Sequence, residues 1–131
     1  MEVIAKLRNI PNSPRKMRLI ADVIRGLDVE KALNIVKLHP MRSYAGRVEK
    51  LLLSAVANWQ QQNTEEKVEQ SNLFVKSITV DIGKQLKRIR PAPQGRAFRV
   101  RKRSNHVTIV VDSRNVFENE EEQVNENTVT E

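Results

Sequence analysis

The stretch Lys84-Gln85-Leu86-Lys87-Arg88-Ile89-Arg90-Pro91-Ala92-Pro93-Gln94-Gly95-Arg96-Ala97-Phe98-Arg99-Val100-Arg101-Lys102-Arg103 carries nine bases and no acid. Phe98 and Val100 alternate with Arg99, Arg101 and Arg103. In extended backbone that spacing places the three arginines on one face, about 6.5–7 Å apart. The preceding arm brings Lys84, Lys87, Arg88 and Arg90. Between the arms lies Pro91-Ala92-Pro93-Gln94-Gly95. Proline cannot donate a ladder hydrogen bond and Gly95 accepts a positive φ, so this segment reads as a tip. Residues 83–107 are therefore expected to form an overlong β-hairpin projecting from the body, with arms reaching roughly 30 Å. Its only apolar cover is Leu86, Ile89, Ala97, Phe98 and Val100. An isolated hairpin is marginal in water, and like charges across strands weaken it further. The outer half is thus expected to be mobile when free and ordered by a polyanion.

Strand patterns flank the arm. Ile78, Val80 and Ile82 alternate with Ser77, Thr79 and Asp81 on one side, and Val107, Ile109 and Val111 with Thr108 and Val110 on the other. The two runs are candidate partners in one antiparallel sheet. Further upstream, residues 3–10 read as a short strand that Pro11 ends. Ser13-Pro14 is a helix start, with Ser offering a capping hydroxyl and Pro an unneeded N–H. Met17, Ile20, Ala21 and Ile24 then form one apolar stripe, and Gly26 closes the helix. Arg15, Lys16, Arg18 and Arg25 lie off that stripe and are expected to face outward. Asp28 opens a second helix carrying Val29, Ala32, Leu33 and Val36, which Pro40 stops. A third runs from about Met41 to Gln61, with Val48, Leu51, Leu52, Ala55 and Trp59 as its buried face. Gln60 to Asn72 reads as a loop.

At 131 residues the chain fits one domain, and 39% apolar residues supply one modest core. With no cysteine there is neither disulfide nor thiolate metal site, and a reducing compartment is expected. No apolar run reaches the roughly 18 residues of a membrane-spanning helix. The arm's alternation and prolines do not suit an interfacial helix either. His39 and His106 are the only histidines, far apart and in no catalytic pattern, and Glu65, Glu66 and Glu69 read as a solvated loop cluster. No enzyme, cofactor, metal site or small-molecule substrate is expected. The net charge of +7 is uneven: residues 1–111 hold 22 bases and 9 acids, whereas residues 112–131 hold one base and seven acids. Such concentrated positive charge points to nucleic acid. Residues 115–131 have a disordered composition. They form an acidic tail that could fold back and shield the arm before it meets RNA.

Five motifs, in order, carry a resemblance: Ser13-Pro14-Arg15-Lys16; Ile24-Arg25-Gly26; Ser54-Ala55-Val56-Ala57-Asn58; Leu86-Lys87-Arg88-Ile89-Arg90-Pro91 leading into Gly95-Arg96-Ala97-Phe98-Arg99; and Lys102-Arg103-Ser104-Asn105-His106-Val107-Thr108-Ile109-Val110-Val111. Together they resemble the bacterial-type family of large-ribosomal-subunit protein twenty-two, over about residues 3–114. The resemblance implies an α+β fold: three helices packed on a small three-stranded antiparallel sheet, with a long protruding basic β-hairpin. It implies a structural constituent of the large subunit that binds 23S-type rRNA, supports assembly and lines the nascent-peptide exit tunnel. The partners are then rRNA, the nascent peptide and other large-subunit proteins, including protein four at the tunnel constriction. The location it implies is the large subunit of a cytoplasmic ribosome, with an organelle ribosome left open. Lys87, Arg88, Ile89, Arg90 and Pro91 would belong to the tunnel tip, and Lys84, Arg96, Arg99, Arg101, Lys102 and Arg103 to the RNA-facing run. Ser13, Arg15, Lys16, Arg18 and Arg25 match the RNA-binding first helix, and His106 an RNA contact beside the sheet. Two departures stand out: Asp81-Ile82-Gly83-Lys84 at the hairpin root, where the family often has an acid and a Pro, and Trp59, where a small residue is common. The competing reading is a general nucleic-acid-binding or RNA-chaperone protein outside the ribosome.

Overall fold

A computed structural model of the chain describes residues 2–114. The acidic tail expected over 115–131 lies outside the described residues. The fold is α+β, with three α-helices and five strands in two antiparallel sheets among the described residues. In chain order they are β1 (Val3–Ile10), α1 (Pro14–Ile24), α2 (Val29–Leu38), α3 (Arg42–Gln62), β2 (Leu73–Ile82), β3 (Leu86–Pro91), β4 (Ala97–Lys102) and β5 (Asn105–Ser113). A 3-10 turn, Val68–Gln70, interrupts the loop before β2, and another, Pro93–Gly95, sits between β3 and β4.

The body sheet has the order β1-β5-β2, with β5 antiparallel to both neighbours. Because strand side chains alternate, its inner face is a run of β-branched residues: Val75, Ile78 and Val80 beside Val107, Ile109 and Val111. Against them pack the helical stripes, Met17, Ile20, Ala21 and Ile24 of α1 and Val48, Leu51, Leu52 and Ala55 of α3. β1 contributes Val3, Ala5 and, after a register break between Leu7 and Ile10, Ile10. Asn9 sits in that break with φ 57°, a left-handed conformation that turns Ile10 back to the core. Trp59 is 1% exposed, so the core opens to take it. Its indole N–H has no hydrogen-bond partner among the described residues.

Two caps differ from expectation. Ser13 and Asp28 hold the N-cap positions of α1 and α2, yet neither side chain makes a capping bond. Asp28 instead pairs with Arg114 at 3.3 Å and Lys31 at 3.9 Å. Gly26 does end α1, with φ 78°, and its N–H reaches the Val75 carbonyl at 3.0 Å.

The free edge of β2 is covered. Val75 exchanges backbone hydrogen bonds with Gly26 and Leu27. Further along, Arg25 donates to the Ile78 carbonyl at 2.9 Å and Arg18 to the Val80 carbonyl at 3.1 Å. Both arginines are exposed, as expected of residues off the apolar stripe, but their guanidinium groups are not free in solvent. They bend over the sheet because edge carbonyls without a partner strand need donors, and a guanidinium has five.

Candidate nucleic-acid interface

β3 and β4 form a sheet of their own. Their register pairs Leu86 with Lys102, Lys87 with Arg101, Arg88 with Val100, Ile89 with Arg99, Arg90 with Phe98 and Pro91 with Ala97. Paired residues share a face, and faces alternate along each strand. One face therefore presents Arg88, Arg90 and Lys102 with Leu86, Phe98 and Val100. The other presents Lys87, Arg99 and Arg101 with Ile89, Pro91 and Ala97. Reading β4 alone suggests one basic and one apolar face. The partner strand cancels that division, and both faces are cationic and partly apolar.

Every residue of β3 is exposed. Ile89 is 75% and Phe98 60% exposed, so the apolar side chains do not cover one another as a core would. Phe98 stands opposite Arg90, not opposite an apolar partner. At the tip, Gln94 (φ 64°) and Gly95 (φ 70°) are successive left-handed residues, and the Ala92 N–H closes the turn on the Arg96 carbonyl at 2.9 Å. Gly meets that requirement without strain, whereas Gln94 does not.

The paired arms are six residues each, shorter than expected, because the ladder breaks at the root. There the Gly83 N–H donates to the Ser104 carbonyl at 2.9 Å, and the Ser104 hydroxyl to the Lys84 carbonyl at 2.6 Å. A Cβ on Gly83 would lie 2.5 Å from the Ser104 hydroxyl oxygen and 3.1 Å from its carbonyl. The glycine therefore permits the close crossing that joins hairpin to body.

The remaining expected residues fall in two groups. Ser13, Arg15 and Lys16 begin α1, where Arg15 and Lys16 are exposed. Arg18 and Arg25 are partly engaged on the β2 edge. His106 lies at the root, where its Nδ1 accepts the Asn9 N–H at 3.0 Å, leaving Nε2 to carry the proton. His39 is likewise occupied, its Nδ1 accepting the Met41 N–H at 3.1 Å.

Three residues of this region escape a sequence reading. Asn105 is fully buried, and its amide donates to the Asn12 carbonyl at 2.8 Å, tying the β1–α1 turn to β5. Tyr44, in the first turn of α3, lines the same cleft as the hairpin root. Ser104 is the other half of the Gly83 joint. An Asn at the boundary between the basic run and the apolar strand was the one available signal.

Among the described residues, the hairpin and its root bring together cations and apolar side chains. Together they present positive charge on an extended ribbon carried by a packed body, the arrangement of a scaffold that meets a polyanion. Comparison with known proteins gives the family. Residues 5–112 match the family described as ribosomal protein L22p/L17e. The chain is 61% identical over 110 residues to a "Large ribosomal subunit protein uL22" of Bacteroides fragilis, covering 84% of this chain and 79% of that one. It is 60% identical over 111 residues to the protein of that name from Christiangramia forsetii, covering 85% and 82%. With the one from Porphyromonas gingivalis it shares 61% over 111 residues, covering 85% and 81%. The chain belongs to the ribosomal protein L22p/L17e family, and is a structural constituent of the ribosome and not an enzyme.

Proposed function

We propose that this chain is a strut of the large subunit. It binds 23S-type rRNA through the hairpin and the start of α1, supports assembly, and lines the nascent-peptide exit tunnel with the tip residues Lys87 to Pro91. Residues 1–114 act as one RNA-binding domain with the hairpin of residues 83–107 as its extension, and 115–131 as an appended acidic tail. The nascent peptide and protein four at the constriction are the neighbours of the tip.

One observation carries this reading: the ribbon has cations on both faces. A hairpin lying on a single RNA surface would bury one charged face and leave the other in water. Three cations on each face, with exposed apolar side chains between them, fit a ribbon enclosed by RNA on both sides. Phosphate neutralisation then supplies most of the affinity, and contacts at 6–10 phosphates would make it fall roughly 10³–10⁵-fold between 50 and 200 mM salt. Specificity comes from shape, since a thin extended arm enters gaps between RNA helices. The arginines suit both tasks, because a planar guanidinium grips two phosphate oxygens or stacks on a base.

Sedimentation tests the reading. The chain is expected to pellet with large subunits through a high-salt wash. Release into the supernatant would overturn the proposal in favour of a general RNA-binding protein.

A further inference from the structure

Where the hairpin meets the body there is a cleft of about 640 Å³. Asn9 and Ser13 border it on one side, Tyr44 on another, and Lys84, Arg101 and Arg103 on the hairpin side. Arg101 and Arg103 share a face of the arm, Lys84 stands across the hairpin root, and no acidic residue among those described lines the cleft. We propose that this cleft receives one unstacked nucleotide of the bound RNA, its base on the Tyr44 ring and its phosphate on Arg101 and Arg103. The inference rests on the RNA-binding reading above and adds a specific site to it.

The size is right for one nucleotide, since pockets for ligands of that scale run roughly 300–1,000 Å³. Cations gathered around a concavity concentrate positive potential more than the same cations on an open strand. Among the side chains lining the cleft, Tyr44 is the only aromatic. It is half-buried and packs against the hydrophobic core, which holds the side chain before any base arrives. An aromatic platform binds bases by stacking, tolerates any sequence, and costs little to order. Asn9 adds a polar edge. Its backbone is fixed in the left-handed region by the bond to His106, and its side chain is exposed at the rim. An asparagine amide both donates and accepts, as a base edge requires.

Continuity with the hairpin decides between a polynucleotide and a small free anion. Arg101 belongs at once to the cleft and to the ribbon face that carries Lys87 and Arg99. An RNA strand neutralising that face runs past the mouth of the cleft. One extruded nucleotide can enter while its neighbours stay on the ribbon. Ser13, whose hydroxyl makes no capping bond on α1, stands at the same mouth with a donor for a phosphate oxygen.

The test uses the full chain, a transcript of 23S-type rRNA, and inorganic polyphosphate as a base-free polyanion. Tyr44→Leu keeps an apolar side chain and removes the π face. It is expected to weaken binding to the transcript about tenfold, as loss of one stacked base does. The slope of log affinity against log salt stays unchanged, because no phosphate contact is lost. Polyphosphate binding also stays unchanged, and Tyr44→Phe restores transcript binding. Arg103→Gln weakens both polyanions. In wild type, a transcript carrying 4-thiouridine is expected to cross-link to Tyr44 on irradiation, a measurement independent of any variant's folding. Equal transcript binding by Tyr44→Leu, or equal loss toward both polyanions, overturns the nucleotide site while leaving the RNA reading intact. Failure of the wild-type chain to bind the transcript removes the RNA reading itself.

Discussion

Lys87 and Arg101 stand directly opposite each other across the hairpin, two cations in one cross-strand pair. Like charges in that position oppose strand pairing by a few tenths to about 1 kcal/mol. The hairpin has little to set against this, because its apolar side chains are exposed. RNA phosphate between or beside the two cations reverses the sign of the interaction. Under the proposed RNA contact, the ribbon is completed by its complex and destabilised by charge outside it.

Lys87→Glu should separate these two effects. It turns the opposed pair into an attractive one, so backbone amides of β3 and β4 in the free protein should exchange more slowly than in wild type. The same change should weaken rRNA binding and flatten its salt dependence. Slower exchange without weaker binding would argue against phosphate contact at Lys87.

Amide exchange on the unaltered free protein gives a companion measurement. Amides of β5, at the centre of the body sheet, should be strongly protected. Those from Leu86 to Lys102 should exchange rapidly, and rRNA should slow them. A tip as protected as β5 without RNA would contradict a hairpin completed by its partner.

Arg99→Glu together with Arg101→Glu places two acids on one ribbon face. The body should remain folded, with near-wild-type thermal unfolding, while incorporation into large subunits falls sharply. Gradient sedimentation of subunits from cells carrying only the variant measures this. Normal subunits would be incompatible with a two-sided RNA sheath.

Gly83→Ala should disturb the root and leave the core alone. The new methyl would lie 2.5 Å from the Ser104 hydroxyl, and overpacking of this kind typically costs 1–3 kcal/mol. The combination with Ser104→Ala removes the closest clash but keeps the 3.1 Å approach to the Ser104 carbonyl, so recovery should be partial. Thermal unfolding and rRNA affinity of the single and double variants supply the comparison.

Arg25→Ala and Arg18→Ala each remove a donor from the β2 edge. Each should lower stability without RNA by about 1 kcal/mol, below the usual range for charged donors because the sites are partly solvated. The single tryptophan, Trp59, reports unfolding by fluorescence as its indole leaves the core. Unchanged stability would mean that water serves those carbonyls equally well.

The helices and the core were legible because their signals are local. The stripe of Met17, Ile20, Ala21 and Ile24 is buried as its spacing requires, and so are Val48, Leu51, Leu52, Ala55 and Trp59. The basic arm, its tip at Gly95 and the hairpin it makes were legible for the same reason. β2 begins at Leu73, earlier than alternation suggested, because a register shift between Val75 and Ser77 breaks the period of two. The faces of the ribbon were illegible because they depend on how two strands align across the turn, and no single strand contains that information. The reach of Arg18 and Arg25 to Val80 and Ile78 spans 62 and 53 positions, and nothing beside those arginines in sequence announces it. The Tyr44 cleft is likewise assembled from four separated segments.

A ribbon charged on both sides, enclosed by RNA as proposed, imposes an order of events. An object gripped by two walls cannot be slid in sideways once both are standing. It must be seated on the first before the second closes, or pass lengthwise through a gap that its own tip must fit. Removing it from a finished particle would mean breaking both grips at once.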